Sequence, residues 1–242
     1  MSNSNVLCQP VRRASSPTPG HVIPYVLLAM TAVTGLVDAV SFLSLGRVFT
    51  ANMTGNIVLL AFATAQVSGL SVARSLTALL AFLVGAVLGG RVMARARSDS
   101  QIRFASQAFL LEGAFLFVAS FYAIGYRSDL LEESFQPFVL IALTALAMGT
   151  RNAAVRKLAI PDLTTTVLTL TITGVGADSS LANGTNPRLA RRVASVAAMF
   201  LGAAIGAVVI HYSISAALRL ATAISAASSA ALFRSVRAFD KL

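Results

Sequence analysis

The sequence predicts an all-α polytopic membrane protein with about six to eight hydrophobic helices, some of them interrupted, in two related halves. Of its 242 residues, 56% are hydrophobic and only 12% are charged, and the mean hydropathy is +0.78. A soluble domain of this length needs far more charge on its surface. Long apolar runs therefore indicate helices that cross a bilayer, and no alternating pattern suggests a barrel.

A bilayer core takes about 20 helical residues to cross. In order along the chain, the apolar runs cover residues 23–45, 49–70, 75–93, 108–125, 137–158, 163–177, 193–210 and 214–233. Polar residues interrupt the second run, and the sixth run is short and rich in threonine. The eighth run carries Arg219 among many serines and alanines, so it suits an interfacial helix as well as a span.

Charge and composition exclude several classes of function. The net charge of +10 comes from basic residues that flank the apolar runs, as in ordinary membrane loops, so we expect a lipid bilayer as partner and no nucleic acid. One cysteine and two distant histidines predict no metal site. No nucleotide loop, catalytic triad or metal-ligand spacing appears, so we predict no cofactor and no enzymatic activity.

Two parts of the chain resemble each other in order. The residues that recur at one constant spacing are Gly35, Asp38, Ala39 and Thr50 in the first half and Gly149, Asn152, Ala153 and Thr164 in the second. Residues 82–89 and 199–206 then share a small-xxx-small pattern, which is typical of tightly packed membrane helices. The identities are few, so chance is the alternative.

This repeat divides the chain. We predict a disordered polar tail at 1–20, a first membrane repeat at 21–105, a connecting helix and acidic loop at 106–134, a second membrane repeat at 135–210, and a C-terminal helix with a basic tail at 211–242. The first apolar run is about as long as a full span and shows no small-residue cleavage site. We therefore expect no cleaved signal peptide.

The loop charges predict an orientation. If the two interrupted runs dip into the bilayer and return, every large basic cluster falls on the side of the N-terminus, and the acidic loop of Asp129, Glu132 and Glu133 falls on the other. If both runs cross, the basic clusters divide between the two faces. The positive-inside rule favours re-entrant runs and a cytoplasmic N-terminus. The halves would then be inverted, as in many secondary transporters.

Four motifs carry a resemblance to a known family. They are Thr-Gly-Leu-Val-Asp-Ala-Val-Ser-Phe at 34–42, Phe-Thr-Ala-Asn-Met-Thr-Gly-Asn at 49–56, Met-Gly-Thr-Arg-Asn-Ala-Ala-Val at 148–155 and Asp-Leu-Thr-Thr-Thr-Val-Leu-Thr at 162–169. Together they resemble the YoaK-like family of bacterial membrane proteins, built on a domain of unknown function, over about residues 25–215. The resemblance implies a multi-pass protein of the bacterial inner membrane and no particular activity.

Asp38 is the first candidate site residue, because a carboxylate inside a membrane span is costly and is a functional candidate by default. Thr31, Thr34 and Ser41 share its helix face by their spacing. Asp38 suits a proton or cation site, or a partner for an arginine. The alternative is a structural ion pair near the end of the helix.

Arg151 and Asn152 occupy the equivalent place in the second half. An arginine fork could bind an anionic substrate, and Arg151 could pair with Asp38 across the repeat. The alternative is that Arg151 snorkels to the interface beside Arg156 and Lys157. Glu112, near the start of the fourth run, suits an interfacial acid or a second proton site.

Two polar segments complete the predicted site. Its substrate-binding residues are Asp38, Thr50, Asn52, Thr54, Gly55, Asn56, Arg151, Asn152, Thr164, Thr165 and Thr166. Unwound backbone at membrane depth is tolerated only where it faces a cavity or is buried in protein. These hydroxyls and amides would therefore line a polar site, unless they only bond one helix to another.

The sequence thus favours a small secondary transporter or permease for an unidentified solute, and protons suit a lone carboxylate as the coupling ion. Such a protein could be a homodimer. The alternatives are a membrane scaffold or assembly protein whose polar motifs pack helices, and an intramembrane enzyme that uses Asp38 as a base.

Overall fold

The computed structural model describes residues 22–96, 100–126 and 134–239, and its ordered elements there are all helical. The helices are α1 Val22–Ser44, α2 Met53–Thr64, α3 Val72–Ala94, α4 Gln101–Tyr122, α5 Gln136–Leu158, α6 Thr169–Ala177, α7 Leu189–Ile210 and α8 Ile214–Phe239, with a 3-10 turn at Ser180–Ala182. All but α2 and α6 are long and apolar enough to span a membrane. The predicted all-α polytopic fold is confirmed.

The two interrupted runs are less helical than their hydropathy suggests. The second run contains a helix of 12 residues, and the sixth a helix of only 9. Thr165 has a positive φ of 61° in the non-helical part of the sixth run, a conformation that a β-branched residue rarely adopts. The predicted N-terminal tail and most of the acidic loop lie outside the described residues.

Helix α1 packs against α7, and the two run parallel. Gly202 lies against the backbone of Ala32, and one turn further along both helices Gly206 lies against the backbone of Leu36. Glycines allow the backbones to approach this closely because they have no side chain. The small-xxx-small pattern of residues 199–206 thus joins the last third of the chain to its beginning.

Helix α3 packs against α5 in the same way. Gly85 lies against Leu146 and Gly89 lies against Thr150, so these helices are also parallel. The hydroxyl of Thr150 donates to the carbonyl of Gly85 at 3.2 Å. Both glycine faces therefore join the two halves rather than helices of one half.

Helices α4 and α8 form an antiparallel pair. The hydroxyls of Ser106 and Ser229 lie 3.2 Å apart near one end, and the hydroxyl of Ser215 donates to the carbonyl of Ser120 at 2.6 Å near the other. Of the two readings of the eighth run, the structure favours a long helix packed into the bundle.

Contacts between helix ends fix the remaining directions. Gly46, just after α1, lies against the side chain of Arg74 in the first turn of α3. Tyr126, just after α4, donates to the carbonyl of Ser44 at 2.8 Å, and burial raises the pKa of this tyrosine to about 12. The end of α1, the start of α3 and the end of α4 therefore share one end of the bundle, called here the far end.

The opposite end, called here the N-terminal end, holds the start of α1. Asp162, after α5, pairs there with Arg188 at 2.9 Å and with Arg192 at 3.1 Å, both at the start of α7. The segment with α2 thus leaves and re-enters the bundle at the far end, and the segment with α6 does so at the N-terminal end. The six long helices alternate in direction.

Candidate functional site

Asp38 holds the first re-entrant segment in place. Its Oδ1 accepts a hydrogen bond from the backbone N–H of Ala51 at 2.9 Å, and its Oδ2 accepts one from Asn52 at 3.2 Å. The chain therefore turns back after α1 and returns to the level of Asp38, where α2 begins. Asn52 caps α2 by accepting from the N–H of Gly55 at 3.2 Å, which satisfies one free donor of the first helical turn.

Asn152 holds the second re-entrant segment in a similar way. Its Oδ1 accepts from the hydroxyl of Thr166 at 2.7 Å, while its Nδ2 donates to the carbonyl of Met148 at 2.9 Å. Asn152 is the residue that the sequence repeat places opposite Asp38. The Asn152 amide thus anchors the second re-entrant segment as the Asp38 carboxylate anchors the first.

One cavity, of about 630 Å³, lies between the far-end halves of α1 and α7; it is called here the far cavity. Both re-entrant segments contribute to its wall. Its lining includes Gly35, Asp38, Ala39, Phe42, Leu43, Phe49, Asn52, Thr54, Gly55, Thr166, Val167, Leu168, Thr169, Ile172, Met199, Ala203 and Ala207. It is mostly apolar, with Asp38 and several hydroxyls and amides as its polar groups.

A second cavity, of about 1000 Å³, lies between the N-terminal-end halves of α3 and α5; it is called here the N-terminal cavity. Its lining includes Phe82, Ala86, Gly90, Asn152, Ala153, Arg156, Lys157, Pro161, Asp162 and Thr164. Unlike the far cavity, it carries two exposed basic side chains, Arg156 and Lys157.

Asn52, Thr54, Thr166 and Val167 line both cavities. All four lie at or just before the start of a short helix. The tips of the two re-entrant segments are therefore the layer at which the far and N-terminal cavities meet. The structure thus brings the two polar segments together at this layer.

Arg151 lies in the core of the bundle. It is fully buried and pairs with Glu112 at 3.1 Å rather than with Asp38 or the interface. It also donates to the carbonyl of Met30 at 3.0 Å and to the hydroxyl of Thr34 at 2.6 Å. Arg151 lines neither cavity, so it joins α1, α4 and α5 in the core instead of facing a solute.

Glu112 is the functional-looking residue that sequence reasoning placed too near the surface. It is fully buried, and its Oε1 also accepts from Ser225 of α8 at 3.3 Å. It is an acid in the fourth apolar run, and Arg151 is a base in the fifth. Two opposite charges in neighbouring spans were the available signal for this pair.

The other predicted residues divide into two groups. Gly55 lines the far cavity and Thr164 the N-terminal cavity. Thr50, Asn56 and Thr165 are buried and line neither. Asn56 instead donates to the carbonyl of Ser75 at 3.0 Å, which ties α2 to α3. Among the described residues, no group of three His, Cys, Asp or Glu side chains could hold a metal ion.

Comparison with known proteins identifies the family. Residues 26–231 match the family described as "Protein of unknown function (DUF1275)". The chain is also 39% identical over 158 residues to the UPF0700 transmembrane protein YoaK of Bacillus subtilis (strain 168), a match that covers 64% of this chain and 65% of that relative. No solved structure matches it. The chain therefore belongs to the DUF1275 family and is a multi-pass integral membrane protein.

Proposed function

We propose that this protein is a small-solute secondary transporter of the bacterial inner membrane, with its site where the two cavities meet. The observation that carries the proposal is the pair of cavities, one toward each end of the bundle, which share Asn52, Thr54, Thr166 and Val167. A site near mid-membrane between discontinuous helices is the usual arrangement in secondary transporters.

The packing of the helices supports two inverted halves. If α1, α2, α3 and α4 are exchanged with α5, α6, α7 and α8, the pair α1 and α7 becomes α5 and α3, which is the other glycine-packed pair. The pair α4 and α5 likewise becomes α8 and α1, which also pack together. Because α5 runs opposite to α1, the exchange inverts direction across the membrane.

The cavity linings follow the same exchange. Met199, Ala203 and Ala207 of the far cavity correspond, at the spacing of the glycine repeat, to Phe82, Ala86 and Gly90 of the N-terminal cavity. Equivalent cavities at opposite ends suit alternating access, in which one half rocks against the other around a fixed site.

Charge supports an orientation with the N-terminal end in the cytoplasm. The basic residues that the structure describes at the N-terminal end are Arg91, Arg95, Arg103, Arg156, Lys157, Arg188, Arg191, Arg192, Arg234 and Arg237. Those described at the far end are Arg47, Arg74 and Arg219. Cytoplasmic loops carry an excess of Lys and Arg, so the N-terminal cavity would face the cytoplasm.

A structural role is the second candidate. Asp38 and Asn152 both accept hydrogen bonds from the re-entrant segments. Polar groups that join helices in this way are also expected in a scaffold. This reading predicts dry polar segments, whereas transport predicts that water reaches them from both sides.

Accessibility of single cysteines separates the two candidates. In a Cys8→Ser background, Thr164→Cys is expected to react with a membrane-impermeant thiol reagent from the cytoplasmic side, and Thr169→Cys from the opposite side. Thr165→Cys is the matched control, because Thr165 is buried beside the exposed Thr164. If Thr164→Cys and Thr169→Cys are as silent as the control, while Tyr212→Cys in the α7–α8 turn reacts, the transporter proposal fails.

A further inference from the structure

We infer that the solute is a small organic cation, bound in the far cavity between Asp38 and the rings of Phe42 and Phe49. This inference rests on the proposed transport function and names its substrate class. It follows from the charge of the cavity, its aromatic lining and the difference between the two cavities.

Asp38 forms no salt bridge in the part of the chain that the structure describes. The guanidinium of Arg151, the arginine predicted to pair with it, is taken by Glu112 at 3.1 Å. No arginine, lysine or histidine is among the described residues that line the far cavity. A carboxylate at membrane depth is stabilised by a counter-ion, and the far cavity leaves that position to a solute.

The Asp38 carboxylate can still accept further hydrogen bonds from a solute in the far cavity. Each Asp38 oxygen accepts one backbone N–H, from Ala51 or Asn52, whereas an ionised carboxylate offers about four acceptor positions. The side chain is only half-buried and lines the cavity. It can therefore hold the re-entrant segment and attract an ammonium group at the same time.

The aromatic pair suits the rest of such a solute. Phe42 and Phe49 line the far cavity and stack with their centroids 5.0 Å apart at 20°. Aromatic rings attract cations through their quadrupole, and aromatic sites recognise quaternary ammonium groups. The cavity of about 630 Å³ lies within the range of small-molecule sites. Its apolar wall favours alkyl or aryl substituents over a hydrated metal ion.

The two cavities differ at equivalent positions. At the repeat spacing, Phe42 and Leu43 of the far cavity correspond to Arg156 and Lys157 of the N-terminal cavity. The N-terminal cavity also contains Phe82 and Asp162, but Asp162 is paired with Arg188 and Arg192. Of the two cavities, the far cavity is the one whose described lining places a carboxylate without a salt bridge beside a stacked aromatic pair. An organic cation is held at the far cavity and repelled by the basic mouth of the other, so its affinity is expected to differ between the two sides.

Charged thiol reagents test the inference without a known substrate. In the Cys8→Ser background, Thr54→Cys is treated with a cationic trimethylammonium-ethyl and an anionic sulfonato-ethyl methanethiosulfonate, and each rate is divided by that of the exposed control Tyr212→Cys. We expect the cationic reagent to be favoured by about ten-fold or more, because charges attract more strongly in a partly buried site than in water. Adding Asp38→Asn is expected to abolish this preference.

Two further measurements test the cation inference without relying on Asp38→Asn. Because Asp38→Asn could loosen the re-entrant segment, Phe42→Leu and Phe49→Leu are tested for protection of Thr54→Cys by tetraethylammonium, with benzoate as the anionic comparison. We expect protection by tetraethylammonium alone, weakened several-fold in either variant by loss of the ring. A neutral maleimide reports access itself. The cation inference is wrong, and the transport proposal stands, if the maleimide labels Thr54→Cys but neither the charge of the thiol reagent nor tetraethylammonium changes its labelling. The transport proposal fails if the maleimide does not label Thr54→Cys.

Discussion

The buried pair of Arg151 and Glu112 gives the sharpest stability prediction. Both side chains are fully buried, and their charged atoms lie 3.1 Å apart. Removing one partner leaves the other charge unpaired in a medium that solvates it poorly. Arg151→Met or Glu112→Leu alone is therefore expected to lower the free energy of unfolding by about 3–5 kcal/mol.

The double variant should recover most of that loss. Thr34 already donates to the carbonyl of Met30 at 3.1 Å, so both acceptors of Arg151 on α1 keep a partner when the guanidinium is removed. Replacing a whole buried pair by apolar residues is often neutral or stabilising. We expect Arg151→Met with Glu112→Leu to lie within about 1 kcal/mol of the unmodified protein.

The assay is reversible unfolding in mixed micelles, followed by circular dichroism. Arg156→Met is the matched control, because Arg156 is exposed on the same helix, and it should change the free energy of unfolding by no more than about 0.5 kcal/mol. The reasoning is refuted if Arg151→Met is as mild as Arg156→Met. It is equally refuted if the losses of the two single variants simply add.

Three further predictions concern packing and the re-entrant segments. An added Cβ at Gly35 would overlap the backbone of α7, whereas Gly90 has open space around it. Gly35→Ala should therefore lower the free energy of unfolding by about 1–3 kcal/mol, and Gly90→Ala should not lower it. Equal effects would contradict the close approach of α1 and α7. Tyr126→Phe removes one hydrogen bond, which contributes about 1 kcal/mol to the free energy of unfolding, so the thermal midpoint should fall. Tyr25→Phe, at an exposed position, is the control and should leave the midpoint unchanged. Asn152→Ala removes the side-chain acceptor of Thr166 at 2.7 Å and leaves it only the carbonyl of Thr164 at 3.4 Å. Faster amide exchange in residues 163–168 should follow, and an unchanged exchange rate would rule out the anchoring role.

Hydropathy predicted the long helices well, because a span is a local property of about 20 residues. It also located the interruptions, since Asn52–Asn56 and Thr164–Thr166 are too polar for lipid. The partner of Arg151 could not be predicted from the repeat. Repeat logic pointed to Asp38, but the arginine lies beside α4, and that neighbour depends on how all the long helices assemble.

The three consecutive threonines at 164–166 show a second limit. Thr164, Thr165 and Thr166 look alike in sequence, yet Thr164 and Thr166 line the N-terminal cavity while Thr165 is buried. Which neighbour faces water depends on the backbone turn at Thr165, where φ is 61°. Periodicity rules presume a regular helix or strand, so they cannot assign faces in such a segment.

The parallel pairing of α1 with α7 has a consequence for how the protein is made. Helix α1 is synthesised first, but the glycine face that receives its backbone belongs to Gly202 and Gly206 near the end of the chain. At a synthesis rate of about 5–20 residues per second, α1 is in the bilayer for on the order of ten seconds or more before α7 is made. Helix α3 meets α5 sooner. Neither half can complete its packing alone, so a chain released early presents unpacked glycine faces in the membrane.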